Sequence, residues 1–111
     1  VDPNAQRGIH CRFGMKGVIA ENHFDGSRNS IVVLGGARRY ILNRPDQCPH
    51  LCLYPLGHPS ARHSSVDWSH VWDGKFDNTD SSWKEICPEF DLATGNEVVL
   101  QAGDVLYLPT P

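Results

Sequence analysis

Short apolar runs separated by turn residues dominate this chain, and they constrain its fold more than any other feature. Residues 30–34 and 38–42 are rich in aliphatic, β-branched and aromatic side chains, and a glycine pair separates them. Residues 96–100 and 104–108 repeat the arrangement around a short turn. Runs of this length and composition, bounded by glycine and asparagine, are typical of β-strands joined by tight turns. The pattern therefore predicts an all-β chain.

A His-x-Asp motif, His23-Phe24-Asp25, precedes the first of these runs. Residues i and i+2 of a β-strand point to the same face, so the imidazole of His23 and the carboxylate of Asp25 are expected to face a common point. Residues 17–20 have β-compatible side chains that predict such a strand, and residues 26–29 follow as a turn. Two histidines and one carboxylate with open positions are typical of non-heme Fe(II) oxygenases. The motif alone is more typical of a surface histidine beside a turn-forming aspartate.

Four blocks of the chain resemble the JmjC family of cupin-like domains, in the order and at the approximate spacing of that family. They are residues 23–29 (HFDGSRN), 35–42 (GGARRYIL), 53–67 (LYPLGHPSARHSSVD) and 97–109 (EVVLQAGDVLYLP). The resemblance implies a partial double-stranded β-helix, a jelly-roll or cupin-like fold with a long loop insertion and one short helix. It also implies oxygenation that depends on Fe(II) and 2-oxoglutarate, either hydroxylation of a protein side chain or removal of an N-methyl group.

The resemblance assigns roles to individual positions, with His23 and Asp25 as metal ligands. Arg38 stands where the family holds a basic residue that binds the distal carboxylate of 2-oxoglutarate, and an arginine can do so bidentately. Asn29 stands where an amide can hydrogen-bond the same cosubstrate. A surface-paired strand arginine and a turn asparagine are the alternative interpretations of these two residues. Ala20 replaces a hydroxyl that related members use to bond 2-oxoglutarate, which a methyl group cannot do.

The second metal-binding histidine of the family follows the strand that ends here at Pro109, and none of the six histidines lies beyond that residue. We therefore expect a fragment of a longer JmjC-type protein, truncated before this ligand. On this interpretation residues 1–111 form one incomplete domain. The metal-site strands lie at about 17–45, the insertion at about 47–95 and a C-terminal strand pair at about 96–109.

Three local segments also carry predictions. Alternating apolar residues between positions 9 and 13 predict a short edge strand. Residues 80–87 predict one short helix, because aspartate and serine at its start can cap it and Pro88 would end it. His58 and His63 are interpreted as parts of an ordered loop rather than as metal ligands, since a proline and a serine-rich run surround them.

The four cysteines are interpreted as free thiols of an intracellular protein, in the cytoplasm or the nucleus. The chain is not rich in cysteine, and its first residues have no apolar signal-peptide core. The alternative is zinc, because Cys48, His50 and Cys52 are ligand types that zinc prefers. Structural zinc takes four ligands, usually as two spaced pairs, and the sequence offers no second pair.

The composition argues against nucleic-acid and membrane partners. The formal net charge is −3, and Arg38-Arg39 is the only adjacent basic pair, so no basic stripe can neutralise phosphates. No apolar run approaches the about 20 residues that span a bilayer. A protein or peptide is the substrate class that the resemblance implies.

Two functions from different classes follow from these patterns. The first is an Fe(II)- and 2-oxoglutarate-dependent oxygenase in which His23 and Asp25 hold the metal and Arg38 and Asn29 orient the cosubstrate. The second is a JmjC-like barrel that has lost turnover and acts as a binding module, which the departures at Ala20 and Arg38 favour. A histidine shortly after Pro111 in a longer protein would support the first function.

Overall fold

A computed structural model describes residues 8–67 and 82–111 of the chain. Its strands are β1 (Asn29–Val32), β2 (Ala37–Leu42), β3 (Asn96–Gln101) and β4 (Val105–Leu108). Its helices in the described residues are short, namely α1 (Ser82–Ile86) and the 3-10 helices Pro45–His50 and Pro88–Leu92. The predicted fold class, all-β with few short helices, is confirmed.

The four strands form a folded-back antiparallel ribbon. β1 pairs with β4, with Asn29 opposite Leu108, and β2 pairs with β3, with Leu42 opposite Asn96. The chain therefore runs out along β1 and β2 and returns along β3 and β4. This nested pairing of distant strands in small antiparallel sheets is the arrangement expected of part of a jelly-roll sandwich.

A corner separates the two halves of the ribbon, where the glycine pair and the second turn lie opposite each other. Gly103 N donates to Val33 O at 2.8 Å, Val33 N donates to Asp104 O at 3.1 Å, and Ala102 N donates to Gly36 O at 3.1 Å. Gly36 and Gly103 adopt φ values of 72° and 97°, which glycine tolerates without steric cost. These bonds keep the strands paired while the chain changes sheet.

Burial alternates along β1 and β4 with a period of two. Ile31 lies opposite Leu106, and both are partly buried, whereas Val32 and its partner Val105 are exposed. On β3, Leu100 is buried. Period-two burial places one face of the β1–β4 pair inward, whereas in β2 the burial changes from exposed to partly buried along the strand.

Two strands predicted before β1 are absent from the described residues. Residues 17–20 are irregular, and His23 forms only a single antiparallel bridge with His63. The alternating residues between positions 9 and 13 are also irregular, and Phe13 is 99% exposed. A strand persists only where a neighbouring segment supplies hydrogen bonds to its backbone, and within residues 8–67 and 82–111 neither segment is paired with such a neighbour. Both strand predictions are therefore wrong.

The segment between β2 and β3 contains a hydrophobic core of its own. Leu51, Val66, Cys87 and Phe90 are buried together, and Leu53 packs against them. An isolated bridge between Leu53 and Ser64 connects two stretches of this segment. The described part of the predicted insertion is therefore an ordered unit with apolar contacts, not a structureless loop.

A disulfide joins Cys52 to Cys87, with their Cα atoms 5.8 Å apart. The prediction of four free thiols is therefore wrong for these two residues, whereas Cys11 and Cys48 are free. The two bonded cysteines are 35 residues apart and meet because the core of the insertion brings their segments together. The zinc alternative also fails, since the disulfide removes Cys52 as a thiolate ligand.

Helix α1 lies within residues 80–87 and ends before Pro88, as predicted. That proline begins the 3-10 helix Pro88–Leu92, where its missing N–H is no loss. The predicted capping residues Asp80 and Ser81 lie outside the described residues. In the parts of the chain that the structure describes, every helix is too short or too polar to cross a bilayer.

Candidate functional site

His23 and Asp25 come together just before β1. His23 Nε2 lies 3.9 Å from Asp25 Oδ1, and the two side chains are 37% and 53% exposed. Although the segment is not a regular strand, the two residues still point to a common side. The site therefore presents an imidazole nitrogen and a carboxylate oxygen to solvent at short range.

One hydrogen bond sets the tautomer of His23. Its Nδ1 lies 2.8 Å from the backbone oxygen of Glu21. A carbonyl oxygen only accepts hydrogen bonds, so Nδ1 carries the hydrogen and donates it. In the neutral ring, Nε2 then keeps its lone pair on the side of Asp25. Metal-binding histidines usually have this arrangement, with the second ring nitrogen donating to a carbonyl or carboxylate.

A second hydrogen bond orients Asp25. Asn29 Nδ2 donates to Asp25 Oδ2 at 2.8 Å, which leaves Asp25 Oδ1 on the side of His23. Asn29 is the first residue of β1, so the strand anchors the carboxylate through this amide. Asn29 Oδ1 is buried and has no hydrogen-bond partner among the described residues. Asn29, which the sequence predicts to bind the cosubstrate, therefore holds the Asp25 carboxylate through its amide nitrogen and keeps its amide oxygen as an unused acceptor.

The donor pair fits one divalent ion in both chemistry and spacing. Two ligand atoms each about 2.1 Å from an ion lie about 3 Å apart at a right angle and about 4.2 Å apart on opposite sides. The observed 3.9 Å between His23 Nε2 and Asp25 Oδ1 lies between these limits. Among residues 8–67 and 82–111, no group of three or more His, Cys, Asp and Glu side chains could hold a metal ion.

The block around residues 62–64 forms one wall of this site. The ring of His63 stacks on the ring of His23, with centroids 4.9 Å apart and planes 19° from parallel. Arg62 has a φ of 73°, and a Cβ added to Gly26 would lie 3.1 Å from Arg62 Nη1. The guanidinium therefore lies over the turn that follows Asp25, where a larger residue than glycine would have to displace it.

The structure places Arg38 on β2, in the other half of the ribbon. Its guanidinium carbon lies 5.9 Å from the centre of the Tyr40 ring, within the range of a cation–π contact. This contact confirms that the side chains of Arg38 and Tyr40 lie on the same face of β2. In the pairing of β2 with β3, Arg38 is the partner of buried Leu100. Ala20 is exposed and irregular, three residues before His23. The contacts that bring His23, Asp25 and Asn29 together do not include Arg38.

Sequence reasoning missed the contact between His63 and His23. The two residues are 40 positions apart, and their contact depends on a single bridge between irregular segments. Period-two patterns identify faces within one strand but not pairing between distant loops. The only available signal was the presence of His63 in one of the blocks that resemble the family.

A family model for the cupin-like domain matches residues 3–111 of the chain. The match covers nearly the whole sequence, including the described strands and the His23–Asp25 pair. The chain therefore belongs to the cupin-like domain family. Proteins of this family often bind a metal, which agrees with the donor pair in front of β1.

Proposed function

We propose that this chain is the metal-site portion of an Fe(II)- and 2-oxoglutarate-dependent oxygenase of the JmjC type. The observation that carries the proposal is the pair His23 and Asp25, whose donor atoms lie 3.9 Å apart. Hydrogen bonds to Glu21 and Asn29 orient both donors toward one side. Membership of the cupin-like domain family supports a metal at this position.

In this proposal His23 binds the metal through Nε2 and Asp25 binds it through Oδ1. This chain offers these two ligands, and the resemblance implies a second histidine as the third. When bound, Fe(II) and 2-oxoglutarate would supply the activation of dioxygen that oxidises a C–H bond. The residues of this chain would orient the two ligand side chains, His23 through Glu21 O and Asp25 through Asn29. Asn29 holds Asp25 by its amide nitrogen throughout.

Arg38 is proposed to bind the distal carboxylate of 2-oxoglutarate. Its support is the resemblance, together with the exposure of Arg38, whose guanidinium carbon lies 5.9 Å from the centre of the Tyr40 ring. No competing carboxylate within the described ion pairs holds Arg38, whereas its neighbour Arg39 is bonded to Glu97 at 2.9 and 3.0 Å. Arg38 is therefore the arginine of this strand that is available for an anionic ligand.

The proposed substrate is a protein or peptide. The formal net charge of −3 and the single adjacent basic pair give no support to a nucleic acid. The wall formed by Arg62 and the turn at Gly26 lies beside the donor pair, so a substrate would approach past a cationic group. A side chain that carries an acceptor, such as an amide or a carboxylate, suits this approach.

Turnover of 2-oxoglutarate by the full-length protein tests the proposal. The protein is loaded with Fe(II) without oxygen, and succinate is measured after air and 2-oxoglutarate are admitted. We expect succinate formation in the wild type and none above background in His23→Ala or Asp25→Ala. His58→Ala is the matched control, because it removes an exposed histidine that stacks on Tyr54 instead. Wild-type protein that forms no succinate, with or without candidate peptides, would contradict oxygenase activity.

The second candidate is a metal-binding module without turnover. Ala20, exposed and three residues before His23, offers no hydroxyl to 2-oxoglutarate, and this observation favours it. The two functions differ in one result, because a binding module would bind metal through His23 and Asp25 yet form no succinate. Ala20→Thr would then be expected to raise affinity for 2-oxoglutarate.

A further inference from the structure

The imidazole of His63 covers one face of the imidazole of His23. The ring centroids are 4.9 Å apart and the planes differ by 19°. From this contact we infer that His63 is a positioning residue for His23, which fixes the ring plane in which Nε2 meets the metal. The inference rests on the proposed function and names a residue that acts on the metal through another side chain.

The backbone around the two histidines forces their side chains together. Ser64 N donates to Asn22 O at 2.8 Å, and Phe24 N donates to Arg62 O at 3.2 Å. These bonds flank the bridge between His23 and His63, which makes the histidines a non-hydrogen-bonded antiparallel pair. In such pairs the Cα atoms lie about 4.5 Å apart and the side chains are closer than elsewhere in a ladder. The stack is therefore a consequence of the pairing.

His63 is held more firmly than His23, so it can serve as the fixed member of the pair. Its backbone N donates to Ser60 O at 3.0 Å, and its backbone O accepts from Tyr54 N at 3.0 Å. Its Nδ1 lies 3.3 Å from Ala61 O, to which it donates. The His63 side chain is partly buried, whereas His23 is exposed. A ring held at its backbone and at Nδ1 restricts a neighbour that lies flat against it.

Two contacts then define the orientation of the His23 ring. The bond from Nδ1 to Glu21 O sets which nitrogen is free, and the face of His63 limits rotation about the Cβ–Cγ bond. Without His63, the exposed ring of His23 gains freedom that metal binding must then remove. Immobilising one side chain costs enough to weaken binding by about 3- to 10-fold.

The experiment compares three substitutions at His63 in the full-length protein. His63→Ala removes the ring, His63→Phe keeps a flat ring without nitrogens, and His63→Leu keeps apolar bulk without a flat face. His58→Ala, which disrupts the Tyr54–His58 stack instead, is the matched control. The affinity for Co(II) is measured by the ligand-field absorption of the bound ion. In the metal-free protein, long-range ¹H–¹⁵N spectra report the tautomer of His23.

We expect His63→Ala and His63→Leu to bind Co(II) about 3- to 10-fold more weakly than wild type. His63→Phe and His58→Ala should stay within about 2-fold of wild type. In the metal-free spectra, His23 should keep a single Nδ1–H tautomer in the wild type and in His63→Phe. In the other two His63 variants it should become a mixture, because a ring that rotates freely no longer holds the bond from Nδ1 to Glu21 O.

Three results would overturn the inference. Wild-type affinity in His63→Ala means that the stack positions nothing. Equal affinities of His63→Leu and His63→Phe mean that bulk alone is required. Loss of binding in His63→Phe means that a nitrogen of His63 is needed, which is a different role. Wild-type protein that binds no Co(II) instead refutes the proposed metal site itself, and the tautomer spectra then test the stack separately.

Discussion

Removing the Cys52–Cys87 disulfide is expected to lower the free energy of unfolding by about 4 kcal/mol. The perturbation is the double substitution Cys52→Ala and Cys87→Ala, which leaves no new free thiol in the core. Cys87 is fully buried beside Leu51, Val66 and Phe90, so a small apolar replacement keeps the surroundings chemically compatible.

The magnitude follows from the length of chain that the disulfide closes. The bonded cysteines are 35 residues apart, and a loop of that length loses conformational entropy in the unfolded state worth about 4 kcal/mol. Domains of this size unfold with a total of about 5–15 kcal/mol, so the loss is a large fraction of the whole. Cys52 also anchors the neighbouring segment through its backbone, because Cys52 O accepts bonds from both the N and the Oγ of Ser65.

Guanidinium chloride unfolding, followed by circular dichroism, measures the loss. The matched control is Cys11→Ala with Cys48→Ala, which removes the two free thiols and should change the free energy of unfolding by less than about 1 kcal/mol. Alkylation of denatured, unreduced wild-type protein should label only these two of the four cysteines. A loss below about 1 kcal/mol in the Cys52 and Cys87 variant, or labelling of all four cysteines, would refute the reasoning.

Two further predictions concern single residues. Arg38→Ala should weaken 2-oxoglutarate binding by about 30-fold, since removal of one partner of a charge pair costs about 2 kcal/mol or more. Arg38→Lys should recover only part of this affinity. The control Arg39→Ala, measured in the same titrations, should leave the affinity for 2-oxoglutarate unchanged. Ser64→Ala should lower the free energy of unfolding by about 1–3 kcal/mol. The reason is that the buried Oγ of Ser64 donates to Leu51 O at 2.6 Å and accepts from Val66 N at 3.1 Å. A loss below about 0.5 kcal/mol in denaturant unfolding would contradict this role of Ser64.

The strands of the ribbon were predictable from the sequence because each of them combines a local pattern with a local boundary. Residues 38–42 are a short run that ends in strand-forming side chains and begins just after the glycine pair, and β2 spans Ala37–Leu42. The C-terminal pair is bounded by Gly103, whose positive φ suits the turn. Runs of strand-forming residues and the turn residues that bound them are properties of neighbouring positions, so they can be recognised without knowledge of the fold.

The features that sequence reasoning missed all depend on contacts between distant segments. Residues 17–20 have strand composition but no strand partner among the described residues, so composition alone gave the wrong state. The disulfide requires Cys52 and Cys87 to meet through the core of the insertion, and cysteine counting does not determine pairing. The stack of His63 on His23 depends on one isolated bridge. The proximity of His23 to Asp25 was expected, but it arises from this bridge and from Asn29 rather than from a regular strand.

Anaerobic titration of the full-length protein with Fe(II) tests the central claim most directly, because it measures the metal site without requiring a substrate. We expect one bound ion per chain in the wild type and in His58→Ala. Loss of either donor, in His23→Ala or Asp25→Ala, should weaken Fe(II) binding strongly. The loss should exceed the factor of about 10 to 100 that results from removing a residue that only hydrogen-bonds a metal ligand. Equal Fe(II) affinity in wild type, His23→Ala and Asp25→Ala would show that the pair 3.9 Å apart in front of β1 is not a metal site.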